Sequence, residues 1–158
     1  MSKKSRCRNA LAVGGALTVA AALSTAGVAL ATAPKQGWTY TTQPTAKVSV
    51  TFKVSANGKR VTNLGAGIAI KCKGSAGGFP QAKPGSGNIT KTGTFKVVLK
   101  LYPLGGASQK SSGTDTVTGT FVKGGKATGT VLSYFDFQGA NSFCTGVKQN
   151  YTAIGTAQ

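Results

Sequence analysis

A small antiparallel β fold is what this sequence predicts, either a β-sandwich or a partly closed β-barrel of about 6–8 strands. Three observations carry that prediction. Lys47–Val54 and Thr94–Tyr102 alternate apolar and polar residues with period two. Asn57-Gly58 and Gly124-Gly125 stand between such runs as hairpin turns. After Thr32 no window repeats apolar residues at helical spacing, because glycine or threonine interrupts each one.

The chain has 158 residues, which suits one domain, and its N-terminal part differs in kind from the rest. Lys3, Lys4, Arg6 and Arg8 precede an uncharged run from Ala10 to Ala33 that ends in small residues. A cationic start, an apolar centre and Ala29-Leu30-Ala31 form a secretory signal peptide over residues 1–31. A second small-x-small site precedes Pro34, a poor fit to a peptidase cleft, so cutting after Ala31 is expected. The competing expectation is a retained membrane anchor, since about 20 apolar residues span a bilayer. Cleavage leaves no membrane span and implies a secreted, extracellular protein. It also removes Cys7 and leaves Cys72 and Cys144, the number that closes one disulfide. That bond would close a loop of about 73 residues, for which chain entropy gives about 4 kcal/mol. Two separate thiols are the alternative.

Residues 32–46 are an N-terminal extension or first strand, and 47–158 form the secreted β domain. In Lys47–Val54 the residues Val48, Val50, Phe52 and Val54 share one face. A two-residue Asn57-Gly58 turn with both φ positive sets Val54 opposite Val61. The return strand then carries Ala66, Ile68, Ile70 and Cys72, which needs a register shift, assigned to a bulge at Gly65. Residues 73–88 hold five glycines and two prolines and read as a surface loop. In Thr94–Tyr102, Phe95, Val97, Leu99 and Leu101 point inward until Pro103 ends the strand. A second loop covers 103–115. Thr116–Val122 and Ala127–Phe137 flank the Lys123-Gly124-Gly125-Lys126 turn. A bulged three-residue form of that turn puts Val117 and Phe121 on one face with Val131, Phe135 and Phe137. The last strand runs from about Phe143 to Ile154. The recurrence of T-G-T at 92–94, 118–120 and 128–130 keeps no fixed period and reads as composition rather than as a repeat.

Charge narrows the function. The chain carries 19 Lys+Arg, 2 Asp+Glu and no histidine, a net +17. Without residues 1–31 and their four basic residues this becomes +13. Histidine bases and carboxylate-rich metal sites are excluded, and no cofactor or metal is expected. The acids are Asp115, read as a solvated loop residue, and Asp136, read as a strand-edge ion partner on the side away from Phe135 and Phe137. A carboxylate pair for hydrolysis would need them to converge.

A surface this basic draws polyanions. Arg60 is the one arginine beyond the signal peptide among 14 lysines, which argues against specific nucleic-acid readout. Lys47, Lys53, Arg60, Lys96 and Lys100 are the candidate anion-binding surface, with edge protection as their duller role. Trp38, Tyr102 and Tyr134 are candidate glycan-contact aromatics, although Trp38 would serve equally as core. Tyr151 shares the outward parity of Tyr102 and Tyr134, and Tyr40 lies with Trp38 in the polar stretch after the new N-terminus.

The string Gly58-Lys59-Arg60-Val61-Thr62-Asn63-Leu64, then Cys72, Gly93-Thr94-Phe95, Gly119-Thr120-Phe121, Ala127-Thr128-Gly129-Thr130-Val131 and Cys144-Thr145-Gly146, resembles uncharacterised secreted β proteins of high-GC Gram-positive bacteria. The resemblance covers about residues 48–154. It implies an extracellular β domain with two cysteines and a G-x-F hairpin series, and carries no catalytic residue. The expected function is that of a monomeric, non-catalytic domain at the cell envelope. Its expected partner is an anionic cell-wall polymer or acidic polysaccharide. The alternatives are a small hydrolase using Asp136 or a Ser–Lys site, and an inhibitor of an extracellular enzyme.

Overall fold

The structure, a computed structural model, describes residues 31–43, 47–72, 75–78, 82–102, 110–138 and 144–158. The expected signal peptide and Cys7 lie outside those residues. The side chains of Cys72, Asp136, Phe137 and Cys144 are outside them as well.

The fold is all-β. Eight antiparallel strands form one sheet in the order β6-β3-β2-β1-β10-β9-β8-β7. They are β1 (Thr39–Thr42), β2 (Val48–Val54), β3 (Arg60–Ile68), β6 (Gly85–Asn88), β7 (Thr94–Lys100), β8 (Lys110–Val122), β9 (Lys126–Gln138) and β10 (Cys144–Thr156). A short β4 (Ile70–Cys72) and β5 (Ser75–Gly78) make a separate ribbon. The two ends of the large sheet, β6 and β7, meet at the Ile89–Phe95 and Ala82–Leu101 bridges. There the Lys83 N–H donates to the Lys100 carbonyl at 2.8 Å. The sheet therefore curls into a nearly closed barrel, and the sandwich alternative gives way because a single sheet surrounds the core.

Alternation built the walls as expected on β2 and β7. Val50, Phe52 and Val54 point into the barrel, as do Phe95, Val97 and Leu99. Val54 pairs with Val61, but the turn differs from the expected one. Gly58 alone takes a positive φ (69°), and Asn57 acts through its side chain, accepting from the Ser55 hydroxyl and the Lys59 N–H. The register shift falls at Asn63 and Leu64, both opposite Phe52, rather than at Gly65. Asn63 adopts φ 50°, a conformation asparagine tolerates, and the shift turns Leu64 inward.

Two expected loops contain strands. The stretch 73–88 includes β5 and β6, and residues 110–115 of the second loop extend β8. The β6 segment Gly-Ser-Gly-Asn looks like a loop because its value lies in what it lacks. A Cβ on Gly87 would stand 2.6 Å from a Val97 methyl, and one on Gly85 would overlap Leu99. Bare backbone there lets the side chains of β7 pack beneath β6, which closes the barrel.

The interior is filled by aromatic rings. Tyr40 stacks on Phe52 at 5.1 Å, Phe121 meets Tyr40 edge-on at 5.2 Å, and Phe95 meets Phe52 at 5.1 Å. Tyr151, expected outside, is buried, as is Tyr40, since each belongs to the inward series of its strand. The T-G-T recurrence, read as composition, has a structural role. Gly119 pairs with Gly129, with Thr118 opposite Thr130 and Thr120 opposite Thr128. Gly119 opens the wall where the Phe95 ring and the Tyr151 hydroxyl come in, the latter 2.6 Å from where its Cβ would be, while Gly129 lets the facing Thr118–Gly119 backbone come close.

Gly119→Ala should destabilise the protein by about 1–3 kcal/mol, because the Phe95 ring must move. Gly129→Ala should cost more, since its Cβ would overlap the Thr118 carbonyl, which cannot swing away. Chemical denaturation checks the order, and Phe95→Leu should recover part of the Gly119→Ala loss.

Candidate functional site

Among the described residues, two places carry polar chemistry. The first lies inside the wall. Asp115 pairs with Leu99 on β7 and with Ser133 on β9, and stands on the inward series with Val117 and Phe121. It is fully buried, not the solvated loop acid that the sequence suggested, because β8 starts at Lys110 and alternation carries position 115 inward. Neither carboxylate oxygen has a hydrogen-bond partner among the described residues, and the same holds for Ser133 Oγ and Tyr151 Oη. Burial pushes the Asp115 carboxyl above the usual carboxylate range. Ser133, its neighbour on β9, opposes that rise, but desolvation is the larger influence. Burial likewise pushes the Tyr151 and Tyr40 phenols up, the latter eased by the Lys35 N–H donating to it at 3.3 Å.

The β8–β9 register sets Asp136 opposite Ser112, three positions along from Asp115. An odd separation puts the two positions on opposite faces of the pleat, roughly 10 Å apart along the strand.

The second place is the outer wall. Lys47 and Lys53 stand on or beside β2, Arg60 on β3, and Lys96 and Lys100 on β7. Since β2, β3, β6 and β7 are consecutive around the closed sheet, these five cations share one side of the barrel. Lys47, Arg60, Lys96 and Lys100 are exposed. Lys53 Nζ donates to Gln158 Oε1 at 2.7 Å, and Arg60 Nη2 donates to Ser86 Oγ at 3.1 Å.

The three candidate aromatics separate. Trp38 is half-buried, packed against the core at the Gly125 end with Lys35 Nζ 5.9 Å from its ring. Tyr102 and Tyr134 are exposed, and Lys83 Nζ lies 5.4 Å from the Tyr102 ring. Lys100, Thr114 and Tyr134 form one cross-strand row. The next row is Val98, Thr116, Leu132 and Lys148, in which Val98 and Leu132 are exposed. Sequence reading picked Tyr134 and Lys100 separately and missed Val98 and Leu132. The available signal was the outward parity that both share with Lys100 and Tyr134.

A shallow cavity of about 330 Å³ opens beside β10, with Lys126, Asn150 and Ile154 in its lining. Another of about 220 Å³ lies between Lys35 and Lys123. Among the described residues no three of Cys, Asp, Glu or His gather as metal ligands. Compared with protein-family models, curated proteins and solved structures, the chain matches none.

Asp115 should make the protein more stable in acid than at neutral pH. A carboxyl whose folded-state pKa is raised favours folding fully below its ordinary value of 3.8 and loses that contribution as pH climbs through the raised value. The slope should approach about 1.4 kcal/mol per pH unit for one proton. With no histidine or glutamate in the chain, little else titrates in that window. Asp115→Asn should flatten the dependence and raise stability at pH 7, measured by denaturant melts from pH 4 to 8.

Proposed function

We propose that this protein is an exported, non-catalytic β barrel that binds an anionic partner at the cell envelope through the outside of its wall. The observation that carries this reading is the set of outward cations on β2, β3 and β7, on a chain with 19 basic and 2 acidic residues. The interior offers a partner no room, since Tyr40, Phe52, Phe95 and Phe121 occupy it. Lysine suits such a role: a mobile point charge neutralises a polymer without demanding a fixed geometry.

Export accounts for the cationic leader, and the resemblance to secreted β proteins of high-GC Gram-positive bacteria agrees with it. Cleavage after Ala31 would leave Thr32 first, a residue whose N–H donates to the Phe121 carbonyl at 2.8 Å. The processed chain would thus begin already tied to β8. We also assign Cys72 and Cys144 to one disulfide. Support comes from the backbone: β4, which ends at Cys72, packs against β10, which begins at Cys144, with Cα atoms of the two strands within 8 Å.

Retention of the protein on cell-wall fractions should fall steeply between low and high salt, as counterion release requires. Retention that ignores salt would overturn the electrostatic reading. Reduction of the processed protein should lower its melting temperature by about 10 °C or more, the thermal equivalent of about 4 kcal/mol. An unchanged transition after reduction would remove the disulfide.

A further inference from the structure

The exposed apolar side chains are not scattered. Five large ones are exposed among the described residues: Val98, Tyr102, Leu132, Tyr134 and Ile154. The first four lie on a single outer face made by β7, β8 and β9. Val98 and Leu132 flank Thr116 in one row, and Tyr134 lies in the row of Lys100. Tyr102 follows the buried Leu101 and so continues the outward series of Val98 and Lys100. Below them, Thr118 and Thr130 pair through their hydroxyls at 2.9 Å, with Lys96 and Asn150 at the two ends of that row. Strand and residue spacings give the face roughly 14 Å by 20 Å.

We propose that this face binds an acidic polysaccharide of the uronate type, a proposal that rests on the anion-binding function above, shares Lys96 and Lys100 with its cation set and names its ligand. A uronate ring presents three chemistries together: an apolar C–H face, a rim of hydroxyls and a carboxylate. The barrel face presents the complement of each. Tyr102, Tyr134, Val98 and Leu132 offer apolar contact to the ring faces. The threonine rows offer hydroxyls that both donate and accept. Lys100 on one side and Lys148 on the other carry the charge for the carboxylates. Asp136 stands at the end of this ladder, opposite Ser112, beyond the rows that the lysines flank.

Competing polyanions fit less well. Polyphosphate has no apolar surface and would gain nothing from Leu132, Val98 or the tyrosines. Single-stranded nucleic acid stacks its bases on aromatic rings, but half of this apolar set is aliphatic. Arg60, the arginine available for a phosphate fork, lies on β3 and is hydrogen-bonded to Ser86, away from this face.

The test is titration of the protein with polygalacturonate, polyphosphate, oligo(dT) and neutral dextran at low salt, for the unaltered chain and for Tyr134→Ala, Leu132→Ser and Lys100→Gln. All three positions are exposed, and thermal melts confirm that the variants fold. Polygalacturonate should bind more tightly than the other three. Tyr134→Ala and Leu132→Ser should each weaken it about tenfold while leaving polyphosphate binding within about twofold. Lys100→Gln should lessen the salt dependence of polygalacturonate binding. Polygalacturonate affinity indifferent to Tyr134→Ala and Leu132→Ser overturns the assignment of this face while the broader anion-binding function stands. Tighter oligo(dT) binding that depends on Tyr134 overturns the polysaccharide in favour of nucleic acid. Binding to none of the polyanions overturns both.

Discussion

Four rings hold the two halves of this sheet together. Tyr40 and Phe52 come from β1 and β2, Phe95 and Phe121 from β7 and β8, and they meet inside the barrel with centroids 5.1–6.1 Å apart. Such contacts matter more here than in a richer core. Ile, Leu, Val and Phe make up about a fifth of the chain beyond residue 31, near the level at which highly charged chains stay unfolded. Aromatic rings fill the most volume per residue, and each pair adds about 0.5–1.5 kcal/mol beyond burial. Glycine is their necessary counterpart. Gly119 leaves room for Phe95 and Tyr151, Gly129 for the facing backbone of Thr118 and Gly119, and Gly85 and Gly87 for Val97 and Leu99. A glycine-rich composition that suggests looseness is, in this fold, what allows tight filling.

That solution has a consequence for function. A barrel of eight strands can be filled by side chains or hold one small ligand, and the rings in this one have taken the filled option. The proposed function accordingly uses the outer wall, where the sheet presents threonine, lysine and a few apolar residues in register. Asp115 is the interior position that does not fit the packing logic. Beside Ser133 and with no hydrogen-bond partner among the described residues, it is a polar group placed where an aliphatic one would be more stabilising. Its raised pKa is the chain's way of tolerating the site, since a neutral carboxyl costs far less to bury than an anion.

How much of this was legible in the sequence depended on whether side chains or their absence carried the information. Lys47–Val54 and Thr94–Tyr102 announce their strands because large apolar residues alternate there, and the inward sets match. The Gly124-Gly125 hairpin and the shared face of Val117, Phe121, Val131 and Phe135 were equally readable. What escaped were positions defined by having no side chain. Gly85 and Gly87 looked like loop, and Gly119 and Gly129 looked like low-complexity composition, because the contact that requires a glycine is made by a distant residue. Asp115 escaped for a related reason. Its strand begins Lys-Ser-Ser-Gly-Thr, with no apolar residue to show the parity that puts 115 inward with 117 and 121. Of the outer face, lysines and tyrosines were visible by type, but that Lys100 and Tyr134 share a row is a fact of register across three strands.

The lysines alone do not distinguish a binding wall from a protected one. β7 borders the seam where the sheet closes without a continuous ladder, and outward Lys96 and Lys100 would keep such a border from pairing with another chain whether or not any ligand exists. Protection, however, predicts polar residues at the intervening outward positions. Val98 lies between those two lysines and is 58% exposed, and across the sheet Leu132 and Tyr134 are 43% and 62% exposed. Each of these raises the tendency to aggregate that the lysines lower, so the two groups work against each other if solubility is the purpose. Under the proposed function they act together, on a ligand with both an apolar face and negative charge. The apolar residues, rather than the charges, are thus what the proposed binding function rests on.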